Sequence, residues 1–214
     1  MKTSDISVEY IQHCGSDLSV VNAARVSFNK ESKEFVSKDE GLINYLAKHK
    51  HFSPFNHSFI TLRIKAPIFV ARQLVKHKFM PWNEVSRRYV DDEPEFFFPD
   101  YWRKKADNVK QGSSEESVEL TDMWYNSAKV GSENSLAWYK SAIDEGICAE
   151  QARMMLPQNM MVEWFWSGTL GAYCDMLRLR LDPHTQKESR IVAEKIRGII
   201  EPLFPVSVKA LLSV

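Results

Sequence analysis

The chain has 214 residues, its lysines and arginines equal its aspartates and glutamates in number, and its formal net charge is zero. That length fits one domain that buries its own core without staples, and the charge balance excludes a bulk nucleic-acid binder while allowing a local phosphate site. The three cysteines, Cys14, Cys148 and Cys174, form no CxxC pair, Met1–Asp5 carries no apolar leader and no apolar run reaches membrane-spanning length, so no zinc site and no membrane contact are expected, and a reducing cytoplasm (a host's, for a viral source) is.

Ile6, Val8 and Tyr10 alternate with polar residues and predict an opening strand. Asp17 reads as the cap of a helix running to Val26. Asn29–Lys38 predicts a polar loop, and Glu40–Lys50 a helix with Leu42, Ile43, Leu46 and Ala47 inward. His51–His57 is a loop punctuated by Pro54. Its two histidines have no Cys, Asp or Glu among them, so structure or ligand contact is expected before metal. Ser58–Lys65 alternates as a strand, with Ile60, Leu62 and Ile64 on one face. Pro67 opens a helix that turns Ile68, Phe69, Leu74 and Val75 inward and leaves Gln73, Lys76 and His77 near its C-terminal end. Pro81 ends it, and Asn83–Tyr89 is β-compatible, with Ser86 and Arg88 on one face.

Glu95–Pro99 predicts a buried segment and Lys104–Ser114 a loop. Glu115–Glu145 predicts a long helix carrying Leu120, Trp124, Ala128, Leu136, Tyr139 and Ile143, with a break allowed at Gly131 and a cap at Gly146. Ala149–Pro157 reads as a helix and Met160–Trp166 as a buried strand or turn, and the four methionines of this region are expected as core filler. Gly171–Arg180 is helical, Asp182-Pro183 breaks it, and His184–Ile200 is the last long helix. Strands and helices mix without β-α-β alternation. The fold class expected is therefore α+β, a mixed or antiparallel sheet with long helices in one domain over 1–214.

Arg72–Tyr89 concentrates the chemistry: five cations and a histidine share it with one carboxylate, Glu84, and aromatic rings lie between them. Guanidinium and ammonium groups hold phosphate, and ring faces hold a heterocycle. The alternative is a solvated basic helix face, against which Gln73, Asn83, Glu84 and Ser86 add hydrogen-bonding groups. Arg88, Arg153 and Arg180 lie far apart in sequence, the last two in apolar helices. A core-facing arginine needs a partner, either a carboxylate such as Glu150 or Glu163, or a ligand phosphate or carbonyl. The acid–base inventory is His77 and Glu84. Ser86 lacks a nucleophile elbow, and no GxGxxG or P-loop occurs.

These residues resemble the flavin-dependent thymidylate synthase family. That family is marked by an Arg-His-Arg triplet, a short spacer and S-x-N-E-x-S-x-R-Y, matched here by His77, Asn83, Glu84, Ser86, Arg88 and Tyr89. The resemblance extends over Ala23–Ser27, His51-x-x-Pro54-Phe55-x-His57, Lys65–Gln73, Ala152–Pro157, and Leu179-Arg180 with His184. It implies a homotetramer of α+β subunits with sites shared between chains. It further implies FAD, with NADPH and methylenetetrahydrofolate as co-substrates, and conversion of dUMP to dTMP. No cysteine attacks the pyrimidine; reduced flavin carries the redox step and the protein supplies position and charge.

By residue, the resemblance makes Arg180 the catalytic cation at the uracil ring. Gln73, Ser86, Arg88, Arg153 and Arg180 hold dUMP. Ser53, Lys76, His77, Lys78, Glu84, Asp175 and His184 line the flavin, and no metal is implied. The chain departs from the pattern at Lys76 and Lys78, where the family has arginine, and at Pro81, where it has serine. Thr169, Gly171 and Asp175 stand where Asn or Arg contacts to flavin are expected. These departures bear on flavin affinity and substrate. Two other outcomes therefore stay open: hydroxymethylation of dUMP or dCMP, and a nucleotide-binding relative without catalysis.

Overall fold

The computed structural model describes residues 1–107 and 112–214. Along the chain run β1 (Lys2–Thr3), β2 (Ser7–Cys14), α1 (Asp17–Arg25), α2 (Ser37–Lys48), β3 (Phe59–Pro67), α3 (Ile68–Leu74), β4 (Trp82–Glu84), β5 (Glu95–Phe96), α4 (Thr121–Asp144), α5 (Ala149–Ala152), β6 (Met161–Thr169), α6 (Leu170–Arg180), α7 (Lys187–Ile200) and α8 (Pro205–Leu212). Four strands form an antiparallel sheet in the order β2-β3-β6-β4, and β1 pairs in parallel with β5. The architecture is α+β. No helix among the described residues is long and apolar enough to cross a membrane. The middle of the predicted Lys104–Ser114 loop, residues 108–111, lies outside the described residues.

Alternation decides the centre of the sheet. Ile60, Leu62, Ile64 and Ala66 of β3, with Trp164 and Trp166 of β6, are buried on one face. The opposite face carries Arg63, whose guanidinium lies 5.1 Å from the Phe165 ring centroid and 3.6 Å from both Glu9 and Glu163. A slip of one residue would exchange these faces and strand the charges in the core. Pairing runs unbroken from Phe59 opposite Thr169 to Pro67 opposite Met161.

Several expectations change at element ends. Pro67 closes β3 and caps α3 rather than opening the helix, and α3 stops at Leu74, which leaves Val75 outside the buried stripe of Val70, Ala71 and Leu74. Asn83–Tyr89 is a strand only to Glu84. Beyond it the Ser86 carbonyl accepts from the Tyr89 and Val90 N–H groups at 3.0 and 3.2 Å, a turn that leaves the sheet. α4 passes Gly131 unbroken, a cost of about 1 kcal/mol against alanine that a long helix absorbs. Leu120, just before the helix, and Trp124 in its first turn are exposed. Met160 and Met161 are buried, but Met154 and Met155 are exposed, because the chain changes from α-helix to a 3₁₀ turn at Arg153.

Asp17 is not the cap of α1. Ser16 takes that place, its N–H donating to Ser19 Oγ at 3.1 Å. The buried Asp17 carboxylate instead accepts from the Val206 N–H (2.9 Å), the Ser207 N–H (3.0 Å) and Ser207 Oγ (2.5 Å). It thereby caps α8, a helix absent from the expected elements, which has phenylalanine, Phe204, at its own cap position.

Asp17→Ala should therefore destabilise the protein by about 2–3 kcal/mol, the loss of a helix cap plus charge-assisted bonds in a buried setting. Asp17→Asn, which keeps one acceptor, should lose about half as much. Urea unfolding of the three proteins measures this. A loss under about 0.5 kcal/mol in the alanine variant would mean the carboxylate does not hold α8 in place.

Candidate functional site

Seven of the twelve site residues expected from sequence fall into two groups. The first forms where the C-terminal ends of α3 and α6 meet the start of α7. Arg180 donates from Nε to His77 Nε2 at 3.0 Å and from Nη2 to the Gln73 carbonyl at 3.2 Å. That carbonyl belongs to the last turn of α3, where helical carbonyls lack partners within the helix and attract a cation. A guanidinium only donates, so His77 must present a lone pair at Nε2 and carry its proton on Nδ1. Burial, reinforced by the Arg180 charge, lowers the His77 pKa to about 4. Burial also lowers the Arg180 pKa. The His77 ring lies 6.2 Å from that of Trp166.

Gln73 itself is held from α7. Its amide donates to Gln186 Oε1, and Ser189 Oγ donates to Gln73 Oε1 at 3.2 Å. Gln186 Nε2 donates to Glu188 at 3.0 Å, and Glu188 pairs with Arg103 at 2.9 Å. Gln186 and Glu188 line a cavity of about 640 Å³ whose other walls include Phe69, Phe97 and Trp102. Sequence reasoning missed Arg103, Gln186, Glu188 and Ser189. A glutamine and a glutamate two residues apart at a helix start carry no signal that an arginine 85 residues earlier faces them.

The second group lines a groove of about 430 Å³ and holds Glu84, Ser86, Arg88 and Arg153. The turn after β4 brings Arg88 Nε to Ser86 Oγ at 3.2 Å and sets the Arg88 guanidinium 4.9 Å from the Tyr89 ring centroid. Arg153 does not face the core. It is exposed, and its Nε donates to the Glu150 backbone carbonyl at 3.3 Å. The two carboxylates considered for it are not its partners: Glu163 lies with Arg63, and among the described residues no ion pair involves Arg88, Arg153 or Arg180. Loss of water around Glu84 raises its pKa, opposed by a hydrogen bond from Trp82 Nε1 at 3.1 Å and by the Arg153 charge. Two guanidinium groups and a hydroxyl, with neither arginine in an ion pair among the described residues, give this groove donors that suit an anion, with Glu84 as its one carboxylate.

Among the described residues no hydrogen bond or ion pair connects the two groups. The remaining residues sit outside both. Ser53 is exposed at the start of a 3₁₀ turn, Ser53–His57, whose Pro54 and Phe55 are buried. Lys76 and Lys78 are exposed on the turn after α3. Asp175 pairs with Arg178 at 2.5 Å, and His184 Nδ1 lies 3.0 Å from Asp182. Thr169 Oγ1 donates to Asn56 Oδ1 at 2.7 Å and accepts from the Ala172 N–H at 3.2 Å, capping α6. A Cβ on Gly171 would lie 2.4 Å from that same Asn56 oxygen, so only glycine allows this contact.

Comparison with known proteins adds the following. A family profile described as thymidylate synthase complementing protein matches residues 9–206. The flavin-dependent thymidylate synthase of Wolbachia pipientis wMel is 36% identical over 210 residues, covering 95% of this chain and 72% of that one. That of Thermosipho africanus is 36% identical over 199 residues, covering 92% and 87%. The solved structure of the UMP/dUMP methylase PolB from Streptomyces cacaoi bound with 5-Br dUMP matches with a TM-score of 0.91 at 31% identity, covering 100% of this chain and 97% of that chain.

The Arg180 contact makes a pH prediction. His77 has a folded pKa depressed to about 4 against about 6.5 when unfolded. Between these values the unfolded chain binds the extra proton, so the stability of the neutral ring is complete above about pH 6.5 and is lost as pH falls through about 4. NMR titration of the His77 ring should show a midpoint near 4, with the proton on Nδ1 at neutral pH. A midpoint at the ordinary histidine value would show that the ring is neither buried nor held by Arg180.

Proposed function

The chain belongs to the flavin-dependent thymidylate synthase family, and from that premise we propose that it converts dUMP to dTMP. Methylenetetrahydrofolate supplies the carbon, and NADPH serves as reductant. The observation that carries this reading is the groove in which Arg88, Ser86 and Arg153 converge beside a single carboxylate, Glu84, with neither arginine in an ion pair among the described residues. Two planar forks suit a nucleotide 5′-phosphate. Arg88 and Arg153 bind it, and Ser86 orients it.

Arg180 then lies beside the pyrimidine. A cation fixed by the Gln73 carbonyl stabilises negative charge spreading over N3 and the C4 carbonyl, and so makes C5 more nucleophilic. His77 is neutral there, so it adds no second positive charge and leaves Arg180 as the sole cation of that contact. FAD, when bound, supplies the hydride. The exposed lysines Lys76 and Lys78, in no ion pair among the described residues, fit its diphosphate as point charges. Ser53, His77, Glu84, Asp175 and His184 complete its lining. Among the described residues no hydrogen bond or ion pair joins the two groups within one chain, which supports a homotetramer whose sites combine Gln73 and Arg180 of one copy with Arg88 and Arg153 of another. The likeness to a UMP/dUMP methylase favours UMP as a second substrate to test.

The protein, loaded with FAD and supplied with NADPH and methylenetetrahydrofolate, should yield dTMP from dUMP by mass spectrometry. Parallel reactions with UMP and dCMP define the base and sugar accepted. A hydroxymethylated product would replace the reading by its nearest alternative, and a purified protein unable to bind flavin would remove the flavoenzyme reading.

Arg180→Ala should stay folded and lose about 10²–10³ in turnover, the usual loss for one such electrostatic contact. Near-normal turnover would end its assignment. Arg153→Ala should weaken dUMP binding about 10- to 100-fold, the loss of a charge-assisted contact, and leave FAD binding nearly unchanged. Separate titrations decide this, and equal loss for both ligands would make Arg153 a structural residue.

A further inference from the structure

We propose that Gln186 and Glu188 are positioning residues for Arg180, acting through Gln73, with Arg103 as their counter-ion; this rests on the reading of Arg180 as the cation beside the nucleotide. The starting point is the carbonyl that holds Arg180. It lies in the last turn of α3, a helix of only seven residues. So short a helix is set by tertiary contacts rather than by its own ladder. The Gln73 side chain makes two such contacts, donating to Gln186 and accepting from Ser189.

The direction of that first bond is dictated from further away. Gln186 has one donating and one accepting end. Its Nε2 donates to Glu188 Oε2 at 3.0 Å, so its Oε1 is left to face the Gln73 amide. Flipping Gln186 would set its carbonyl against a carboxylate and its NH₂ against another NH₂. Glu188 is ionised to enforce this. Burial works to raise its pKa, but two contacts from Arg103, at 2.9 and 3.1 Å, and the Gln186 bond hold it below the ordinary value. The side chains of this pair are 13% and 7% exposed, so solvent screens it little. A buried ion pair is a poor source of stability but a good source of orientation. The order is then Arg103 to Glu188, Glu188 to Gln186, Gln186 to Gln73, and Gln73 to Arg180. Neither Glu188 nor Gln186 belongs to the phosphate groove, so phosphate binding does not account for them.

A purely structural role predicts lost stability alone. Three variants separate the two. Gln186→Met breaks the chain without disturbing the ion pair. Glu188→Gln removes the charge that orients it. The exchange Gln186→Glu/Glu188→Gln keeps the net charge and restores the bonds: the carboxylate at position 186 accepts from Gln73, and the amide at position 188 donates to it. Each single variant should lower turnover with dUMP about 10- to 100-fold, the scale of a small misplacement, with dUMP affinity within about threefold of the parent, a difference of well under 1 kcal/mol. The His77 midpoint should rise from about 4 as Arg180 loosens. The exchange should recover both readouts. An unchanged His77 midpoint in Gln186→Met, or single variants impaired with no recovery on exchange, would overturn the proposal. If the parent protein methylates no nucleotide, the functional reading fails, and the His77 midpoints alone then decide whether the chain of bonds reaches Arg180.

Discussion

The bond from the Arg180 guanidinium to the Gln73 carbonyl closes the structure around its longest strand pair. β3 and β6 are antiparallel, and each runs directly into a helix, α3 at one end and α6 at the other. A nine-residue strand spans about 30 Å, while helices of seven and eleven residues rise about 10 and 16 Å. The two helices together nearly match the strand length. Their C-terminal ends therefore meet, and the carbonyl end of one receives the last cation of the other. α7 then packs against the junction and holds Gln73 from behind.

Where a signal was local, the sequence revealed it. The alternation of Ile60, Leu62 and Ile64 predicted both the strand and its buried face. Arg180 in a leucine-rich helix predicted a cation in need of a partner, and its partners proved to be a carbonyl and a neutral imidazole rather than a carboxylate. Arg153 had the same apolar setting in sequence and a different outcome, because a 3₁₀ turn rotates Arg153, Met154 and Met155 out of the helical stripe. Spacing read as helical cannot foresee that change of pitch. Ser86 and Arg88 were expected on one face of a strand; a turn brings them together instead, at hydrogen-bonding distance. α8 escaped because its capping side chain lies on α1: Pro205 at its first position is a start signal, but Phe204 before it cannot cap.

The charge balance of the whole chain conceals an uneven distribution. Most of the other arginines have carboxylates beside them, as in Arg25 with Asp39, Arg103 with Glu188 and Arg197 with Glu201. Arg88 and Arg153 in the groove and Arg180 at the helix junction do not. In the first case the charge is spent on holding the fold; in the second it stays available to a ligand. Placement, and not net charge, distinguishes these arginines.

The Asp17 cap has a temporal side. Its acceptor oxygens and the N–H groups they hold are 189 and 190 residues apart. At the usual rate of synthesis, about 5–20 residues per second, the carboxylate waits on the order of 10–40 seconds for its partners to be made. Until then α1 exposes an anion that the finished protein buries, and water must solvate it. The first helix can dock natively only after α8 has left the ribosome. Premature collapse around it would trap an unpaired charge, so that carboxylate favours closure of this part of the core only once α8 has been made.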